Sequence, residues 1–235
     1  NQTIKPFGWK LIFSMAEKNY IIELVEGRCD DPKARIFKAA LEEFGMRSFA
    51  GARTREIAAK ANLNHAAISY YFGGKNELYM ELARQIRDFI KVFNSPYFDR
   101  FAKVLESGDP REARKLILDF LATKLYSDRI PKHILRSIIL IITREELYQT
   151  QIFETFVDVF RAELEMLAHL ISIASRGALT GDRARIAAHM MAGQVHIFNS
   201  SRVGFQKVAG WEHVGSDRAG EVLEIIGEFF DKFTN

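Results

Sequence analysis

Cysteine is almost absent from this sequence: Cys29 is the one thiol among 235 residues. A single cysteine excludes an internal disulfide framework and a zinc site built from several cysteines. Scarce cysteine is also typical of proteins in the reducing cytoplasm, which is the location we expect. No run of about 18 apolar residues is present, so the sequence predicts no membrane-spanning segment and no membrane partner.

Proline and glycine are also scarce, with five and fifteen residues respectively. Long stretches without these residues favour helices over a sheet of many short strands. Apolar residues recur at helical spacing, and we therefore predict an all-α fold. The N-terminal helices are expected at 7–27, from Pro32 to a stop at Gly45, near 54–61 and 65–72, and from Asn76 to Phe93. Further helices are expected near 97–107, 110–127, 131–148, 151–176, 181–207 and 216–233.

Positive charge is concentrated in one segment near the N-terminus. Residues 28–75 contain nine Lys or Arg and five Asp or Glu, while the rest of the chain, with 24 basic and 25 acidic residues, is almost neutral. A basic segment attached to a neutral body suits a head that binds nucleic acid. The charge alone fits an ordinary solvated surface equally well. The residue pattern inside this segment therefore has to distinguish a nucleic-acid-binding surface from a solvated one.

The stretch from 54 to 75, TREIAAKANLNHAAISYYFGGK, has the pattern of a helix-turn-helix. Ile57 and Ala58 supply the buried side of a first short helix, and Leu63, Ile68 and Phe72 supply that of a second. Asn62 lies in the turn between them, where a residue that tolerates a positive φ is needed. Two short helices joined in this way can place the second one in the major groove of DNA.

The outward side chains of this segment are the predicted contacts with DNA. They are mostly hydroxyl, phenol, imidazole and methyl groups rather than the charges typical of a solvated helix, and an alanine methyl group can touch a thymine methyl group. Tyrosine hydroxyls and a lysine ammonium group can bind phosphates. The predicted contacts are Thr54, Arg55, His65, Ala67, Ser69, Tyr70, Tyr71 and Lys75. The alternative is a helical hairpin with no role in DNA binding.

Residues 32–93 resemble the DNA-binding domain of the TetR/AcrR family of regulators. The matching elements are an opening helix that ends in Phe44-Gly45, the run Arg55-Glu56-Ile57-Ala58, and Tyr71-Phe72-Gly73-Gly74-Lys75 leading into Asn76-Glu77-Leu78. Two positions depart from the family pattern: Arg53 stands where Ser or Thr usually caps the first short helix, and Ser69 stands where many members have Tyr. The C-terminal half, at Gly193-Gln194, Ile197-Phe198 and Arg202 and in the last helix, is similar to a subgroup with a CerR-like C-terminal domain.

The family resemblance implies a homodimer that binds a palindromic operator in double-stranded DNA and is released by a small-molecule effector in a C-terminal pocket. We expect three parts: an N-terminal extension at 1–29, a three-helix helix-turn-helix domain at 30–76, and a helical effector-binding and dimerisation domain at 77–235. The regulator is expected to be a repressor.

Two sets of residues are predicted within the C-terminal part. Arg144 is the expected effector anchor because it lies in a very apolar helix, where an unpaired charge is costly. Structural pairing among Arg136, Arg144 and Glu145 within this helix is the alternative. The full predicted effector set is Arg144, Tyr148 and Phe156. The predicted dimer contacts, on apolar stripes of the last two long helices, are Met190, Gln194, Phe198, Ile226 and Phe229.

Motifs of catalysis are absent from the sequence: it has no HExxH, P-loop, GxGxxG or nucleophile elbow. We therefore predict no enzyme activity and no cofactor. His189 and His196 lie seven residues apart, but without a nearby Cys or acid we expect no metal site. Two rival functions remain: a DNA-binding regulator controlled by a protein partner instead of a small molecule, and an all-helical enzyme or carrier with an incidental helix-turn-helix.

Overall fold

The computed structural model describes residues 18–28, 30–125, 130–200, 202–210 and 216–234. These residues form eleven helices and no strand, which confirms the predicted all-α fold. The helices are α1 (Tyr20–Val25), α2 (Pro32–Gly51), α3 (Thr54–Lys60), α4 (Ala66–Phe72), α5 (Lys75–Ser107), α6 (Pro110–Leu125), α7 (Lys132–Tyr148), α8 (Glu154–Ala174), α9 (Gly181–Ser200), α10 (Arg202–Ala209) and α11 (Ser216–Thr234).

The chain forms two compact units that interleave in sequence. The first takes its residues from 1–94 and 129–159, and the second from 95–128 and 160–235. Helices α5 and α8 contribute residues to both units, whereas α7 belongs wholly to the first. In the structure α7 is therefore grouped with the N-terminal helices. The functional boundary predicted at residue 76 stays a prediction.

The described part of the N-terminal extension docks on the first unit through α1. The Asn19 side chain caps α1, and its amide also donates a hydrogen bond to the carbonyl of Gln85 on α5. The ring of Tyr20 stacks on that of Phe37 in α2, with 5.2 Å between the ring centroids. Of the helix predicted at 7–27, residues 7–17 lie outside the described part of the chain.

Helix α2 starts where the sequence predicted and ends later. Asp31 caps it by accepting a hydrogen bond from the backbone N–H of Ala34. The predicted stop at Gly45 is wrong, because the helix continues to a break at Ser48 (φ 65°, ψ 172°) and a last turn to Gly51. Gly45 instead allows α7 to approach: a Cβ at this position would lie 2.9 Å from the Cα of Ser137.

Helix α5 also contradicts the prediction, because it runs through Pro96 to Ser107 instead of ending near Phe93. A proline inside a helix removes one hydrogen bond and costs about 3 kcal/mol or more. Apolar side chains are buried before the proline, at Phe89, and after it, at Phe101. Their burial offsets the local cost, which sequence punctuation alone could not reveal.

The second unit is built from α6 packed against α9 and α11. Arg114 of α6 and Asp231 of α11 form a two-pronged ion pair with N···O distances of 2.6 and 2.7 Å. The predicted helix starts at Pro110 and Ser216 are confirmed, and the helix predicted at 181–207 is seen as α9 and α10. No described helix is long and apolar enough to cross a membrane.

Candidate nucleic-acid interface

Helices α3 and α4 form the predicted helix-turn-helix. Of the residues predicted for their buried sides, Ile57, Ala58 and Ile68 are buried, and Leu63 and Phe72 are half-buried. The backbone at Asn62 has φ 55°, which confirms the predicted left-handed turn. The side chain of Asn64, a residue that the sequence analysis did not single out, accepts a hydrogen bond from the N–H of Ala67 and so holds the first turn of α4. The turn therefore fixes the angle at which α4 is presented.

The exposed face of α4 is almost uncharged. Tyr70 is 82% exposed, and Ser69 and His65 are also exposed. The hydroxyl of Thr54, at the start of α3, lies 2.8 Å from Nε2 of His65, so the N-terminal ends of the two short helices are joined by a hydrogen bond. An uncharged face of this kind can approach base edges without the cost of removing water from a charge.

One predicted contact on α4 is on the wrong face. Ala67 was expected to point outward, but it is buried with 9% exposure, and Ala66 is the exposed alanine. The error is one residue of helical phase, about 100°, because Ala67 packs on the same side as Ile68. Ala66 therefore replaces Ala67 as the small residue that α4 can offer to a thymine methyl group.

Three basic side chains around α4 have no carboxylate partner among the described residues. Arg53 and Arg55 are exposed at the start of α3, and Lys75 is half-buried at the start of α5. The Lys75 ammonium lies 4.6 Å from the centroid of the Phe49 ring. Tyr71, half-buried at the end of α4, makes an edge contact with Tyr70. Unpaired cations that flank an uncharged helix are suited to phosphates on either side of a groove.

Other basic residues of the same head hold it together instead. The carboxylate of Glu43 on α2 is 2% exposed and lies 2.5 Å from Lys60 Nζ and 3.3 Å from Arg47 Nε. Arg47 also pairs with Glu56 on α3 at 3.2 Å. These ion pairs tie α3 to α2. The surplus of positive charge counted along residues 28–75 is thus divided between internal pairing and free surface cations.

Helix α7 is bound by hydrogen bonds to α2 and α5, which pack with the helix-turn-helix in the first unit. The guanidinium of Arg144 donates hydrogen bonds to the carbonyls of Phe44 (2.9 Å) and Gly45 (3.2 Å) in α2. The next residue, Glu145, is buried and accepts a hydrogen bond from the Tyr79 hydroxyl on α5. The pKa of Tyr79 lies far above its usual range, mainly because the hydroxyl is buried and also because it is hydrogen-bonded to Glu145. The structure thus gives Arg144 a structural partner, although in the backbone and not in Glu145.

The predicted effector residues are not brought to one cavity in the described part of the chain. Arg144 is engaged with α2, Tyr148 is 70% exposed, and Phe156 is fully buried. Their role in binding an effector stays a prediction. The second unit carries an open depression of about 420 Å³, lined by Gly108, Pro110, Ser172, Ile173, Arg176 and Gly177.

Helices α9 and α11 of the second unit carry exposed apolar stripes. On α9, large apolar side chains are exposed at helical spacing: Ile186, Met190 and Ile197. On α11, Ile225 and Phe229 are each 51% exposed. Of the predicted dimer residues, Met190, Gln194 and Phe229 are exposed and Phe198 is half-buried. Ile226 is the exception: it is 5% exposed and belongs to the core of the unit, because α11 presents Ile225 to the outside instead.

Within the part of the chain that the structure describes, no group of three or more His, Cys, Asp or Glu side chains is placed to hold a metal ion.

Comparison with known proteins identifies the helix-turn-helix. Residues 36–82 match the family model described as bacterial regulatory proteins of the tetR family. The HTH-type transcriptional dual regulator CecR of Shigella flexneri is 41% identical over 91 residues, which cover 38% of this chain and 40% of that protein. The chain thus matches less than half the length of this curated relative. The proteins that it resembles are regulators of transcription and not enzymes.

Solved structures extend the similarity in fold beyond the helix-turn-helix. A TetR-like transcriptional regulator from Rhodococcus sp. RHA1 is 19% identical, with a TM-score of 0.56 over 83% of this chain and 93% of that one. AibR, in complex with isovaleryl coenzyme A and operator DNA, is 13% identical, with a TM-score of 0.57 over 84% of this chain and 97% of that one. At these identities the match concerns the fold. Residues 36–82, which include the helix-turn-helix, thus match the tetR-family domain, and the chain shares the all-helical fold of solved TetR-like regulators.

Proposed function

We propose that this chain is a dimeric DNA-binding regulator of transcription that inserts α4 into the major groove of a palindromic operator. The observation that carries the proposal is the uncharged, exposed face of α4, flanked by the unpaired cations Arg53, Arg55 and Lys75. A C2 dimer would present two such helices, and two helices related by a twofold axis read two half-sites of opposite direction.

Within this interface we assign different roles to two cations. Arg55 is exposed near the start of α3 and is proposed to read base edges, where an arginine fork to guanine is worth about 1–3 kcal/mol of discrimination. Lys75, at the start of α5, is proposed to bind a phosphate together with Tyr71, which gives affinity without sequence preference. Thr54, His65, Ser69, Tyr70 and Ala66 complete the proposed contact surface.

The experiment begins with selection of bound sequences from random DNA, followed by affinities for the operator and its single-base variants at two salt concentrations. Arg55→Ala should relax the preference at one or two operator positions while binding to unrelated DNA changes less. Lys75→Ala should weaken binding to all sequences alike and reduce the salt slope by about one. Lys103→Ala, a change at an exposed lysine of α5 in the second unit, is the matched control and should alter neither quantity.

The result that would contradict the assignment is a reversal of the two phenotypes. If Arg55→Ala lowers every affinity equally and Lys75→Ala changes the base preference, Arg55 holds the backbone and Lys75 reads the sequence. Failure of the wild-type chain to select any DNA sequence would contradict the function itself.

We further propose that the protein is a repressor released by a small molecule. AibR, which shares the fold, was solved with isovaleryl coenzyme A and operator DNA bound, so a chain of this fold can hold an effector as well as DNA. An effector acts only if it binds one of the two forms more tightly than the other. A reporter gene behind the selected operator should be silenced by the chain and restored by one member of a metabolite library.

The alternative is control by a protein partner without a small molecule. Its support is that Arg144, the predicted anchor, is already bonded to backbone carbonyls of α2. It predicts that no metabolite changes operator affinity, whereas lysate from the source cells does. If a metabolite does act and Arg144→Ala leaves its effect unchanged, the assignment of Arg144 to the effector site fails while release by an effector stands.

A further inference from the structure

The contact between Lys75 and Phe49 is unusual because the lysine is held by a ring instead of an acid. The ammonium lies 4.6 Å from the ring centroid, and within the described residues Lys75 has no carboxylate partner. Both residues are half-buried, so the contact lies at the surface of the unit and is not sealed in its core. This arrangement attracts the cation without cancelling its charge.

The ring of Phe49 also packs against two other aromatic rings. Its centroid is 6.2 Å from that of Phe44, in a stacked arrangement, and 5.1 Å from that of Tyr79. Tyr79 is in turn buried and hydrogen-bonded to Glu145 of α7. Phe49 therefore sits on a rigid base that three helices supply.

The backbone before Phe49 gives this ring its direction. Ser48 breaks α2 with φ 65° and ψ 172°, a backbone conformation that residues other than glycine rarely adopt. The break is closed by a hydrogen bond from the N–H of Ala52 to the Ser48 carbonyl. Without the break, the chain would continue along the axis of α2, and Phe49 would point in a different direction.

A lysine held in this way is prepared for an anion. Its ammonium carries three N–H donors, and a ring face occupies one side of the group, so donors remain for a phosphate. A side chain that is already ordered loses less conformational entropy when it binds, which favours affinity. An acidic partner would have ordered the lysine equally well but would have neutralised it for DNA.

We propose that Phe49 is a positioning residue for DNA binding: it holds the Lys75 ammonium in the place from which it binds a phosphate. This inference rests on the proposed function and adds to it a residue on α2 that acts through Lys75. Neither Phe49 nor its contact with Lys75 is visible as a DNA-binding feature in the sequence, where the two residues are 26 positions apart.

The test is a double-mutant cycle that combines Phe49→Leu with Lys75→Met, measured on operator and unrelated DNA across a range of salt concentrations. Phe49→Leu keeps an apolar side chain and removes the ring face. Loss of a cation–π contact at a half-exposed site is worth about a two- to five-fold change in affinity per contact, or about four- to twenty-five-fold for a dimer with two such contacts. The loss should be equal on both DNAs, and the salt slope should fall toward that of Lys75→Met.

Two comparisons separate positioning from a general loss of structure. Phe49→Tyr keeps the ring and should retain the wild-type affinity and slope. Adding Phe49→Leu to Lys75→Met should cause no further loss, because the group that Phe49 positions is gone. In the free protein, the NMR signals of the Lys75 ε-methylene protons should show the ring-current shift in the wild type and in Phe49→Tyr, and lose it in Phe49→Leu.

Three outcomes would overturn the inference while leaving the proposed function intact. The first is additive losses in the cycle, which would mean that Phe49 acts independently of Lys75. The second is tighter DNA binding by Phe49→Leu, which would mean that the ring sequesters the ammonium from DNA. The third is an unchanged salt slope. If the wild-type chain binds no DNA at all, the proposed function fails first, and the ring-current shift then reports a purely structural contact.

Discussion

The exposed stripes on α9 and α11 lead to a quantitative prediction about Phe229. This side chain is 51% exposed in the single chain. Since an aromatic side chain buries about 150–250 Å² when enclosed, a partner would cover about 100 Å² of Phe229 on each protomer. At about 25 cal/mol per Å², this burial contributes about 2.5 kcal/mol per protomer, or about 5 kcal/mol per C2 dimer.

Substitution by alanine should remove most of this contribution. Phe229→Ala leaves one carbon of the side chain in place, so we expect a loss of about 3–4 kcal/mol per dimer, which raises the dimer Kd about 100- to 1000-fold. The assay is sedimentation equilibrium over a range of concentrations. Leu105→Ala is the matched control, because Leu105 is 43% exposed but lies on α5 and is part of neither stripe.

The reasoning would be refuted by any of three results. A wild-type chain that is monomeric by light scattering at micromolar concentration would show that the stripes are not a dimer interface. A Kd unchanged by Phe229→Ala would place the interface elsewhere. An equal effect of Leu105→Ala would show that the loss is not specific to α9 and α11.

Two further predictions concern the first unit. Gly45→Ala should lower the free energy of unfolding, measured in urea, by up to about 2 kcal/mol, because a clash with Ser137 worth about 1–3 kcal/mol exceeds the gain of about 1 kcal/mol in helix propensity. Gly220→Ala is the control and should raise this free energy, because the space around its Cβ is open. A rise for Gly45→Ala would contradict the close approach of α2 and α7. Tyr79 has a pKa raised by burial and by Glu145, so its folded pKa lies above its unfolded value of about 10. The stability that the neutral Tyr79 hydroxyl contributes is complete below pH 10 and is lost as the pH rises further. The free energy of unfolding should therefore fall less above pH 10 in Tyr79→Phe than in the wild type. An identical fall in both proteins would show that ionisation of Tyr79 is not its cause.

The motif of the head could be predicted almost completely from the sequence. Its signals are local: Asp31 and Pro32 start a helix, Asn62 tolerates a positive φ, and the apolar residues of α3 and α4 repeat at helical spacing. The predicted phase was wrong at Ala67 because two adjacent alanines differ only in direction, and packing decides which of them faces inward. The all-α fold followed from apolar residues at helical spacing and from the scarcity of proline and glycine, whereas the likeness to the TetR family was predicted from the resemblance of residues 32–93.

Other features depended on residues that are far apart in the chain. The sequence marks Gly45 and Pro96 as helix breakers, yet both lie within helices, because α7 approaches at one and burial on both sides outweighs the cost of the other. Arg144 looked like a ligand anchor because a charge in an apolar helix needs a partner, and only the tertiary structure reveals that the partner is the backbone of α2. Local sequence thus determined the helical fold class and where most helices begin, since capping, turns and periodicity act within a few residues. The tertiary structure decided which polar groups already have hydrogen-bonding or ionic partners and which, like Lys75 beside Phe49, remain available to bind. The reason is that burial and pairing depend on neighbours that the chain brings together only when it folds.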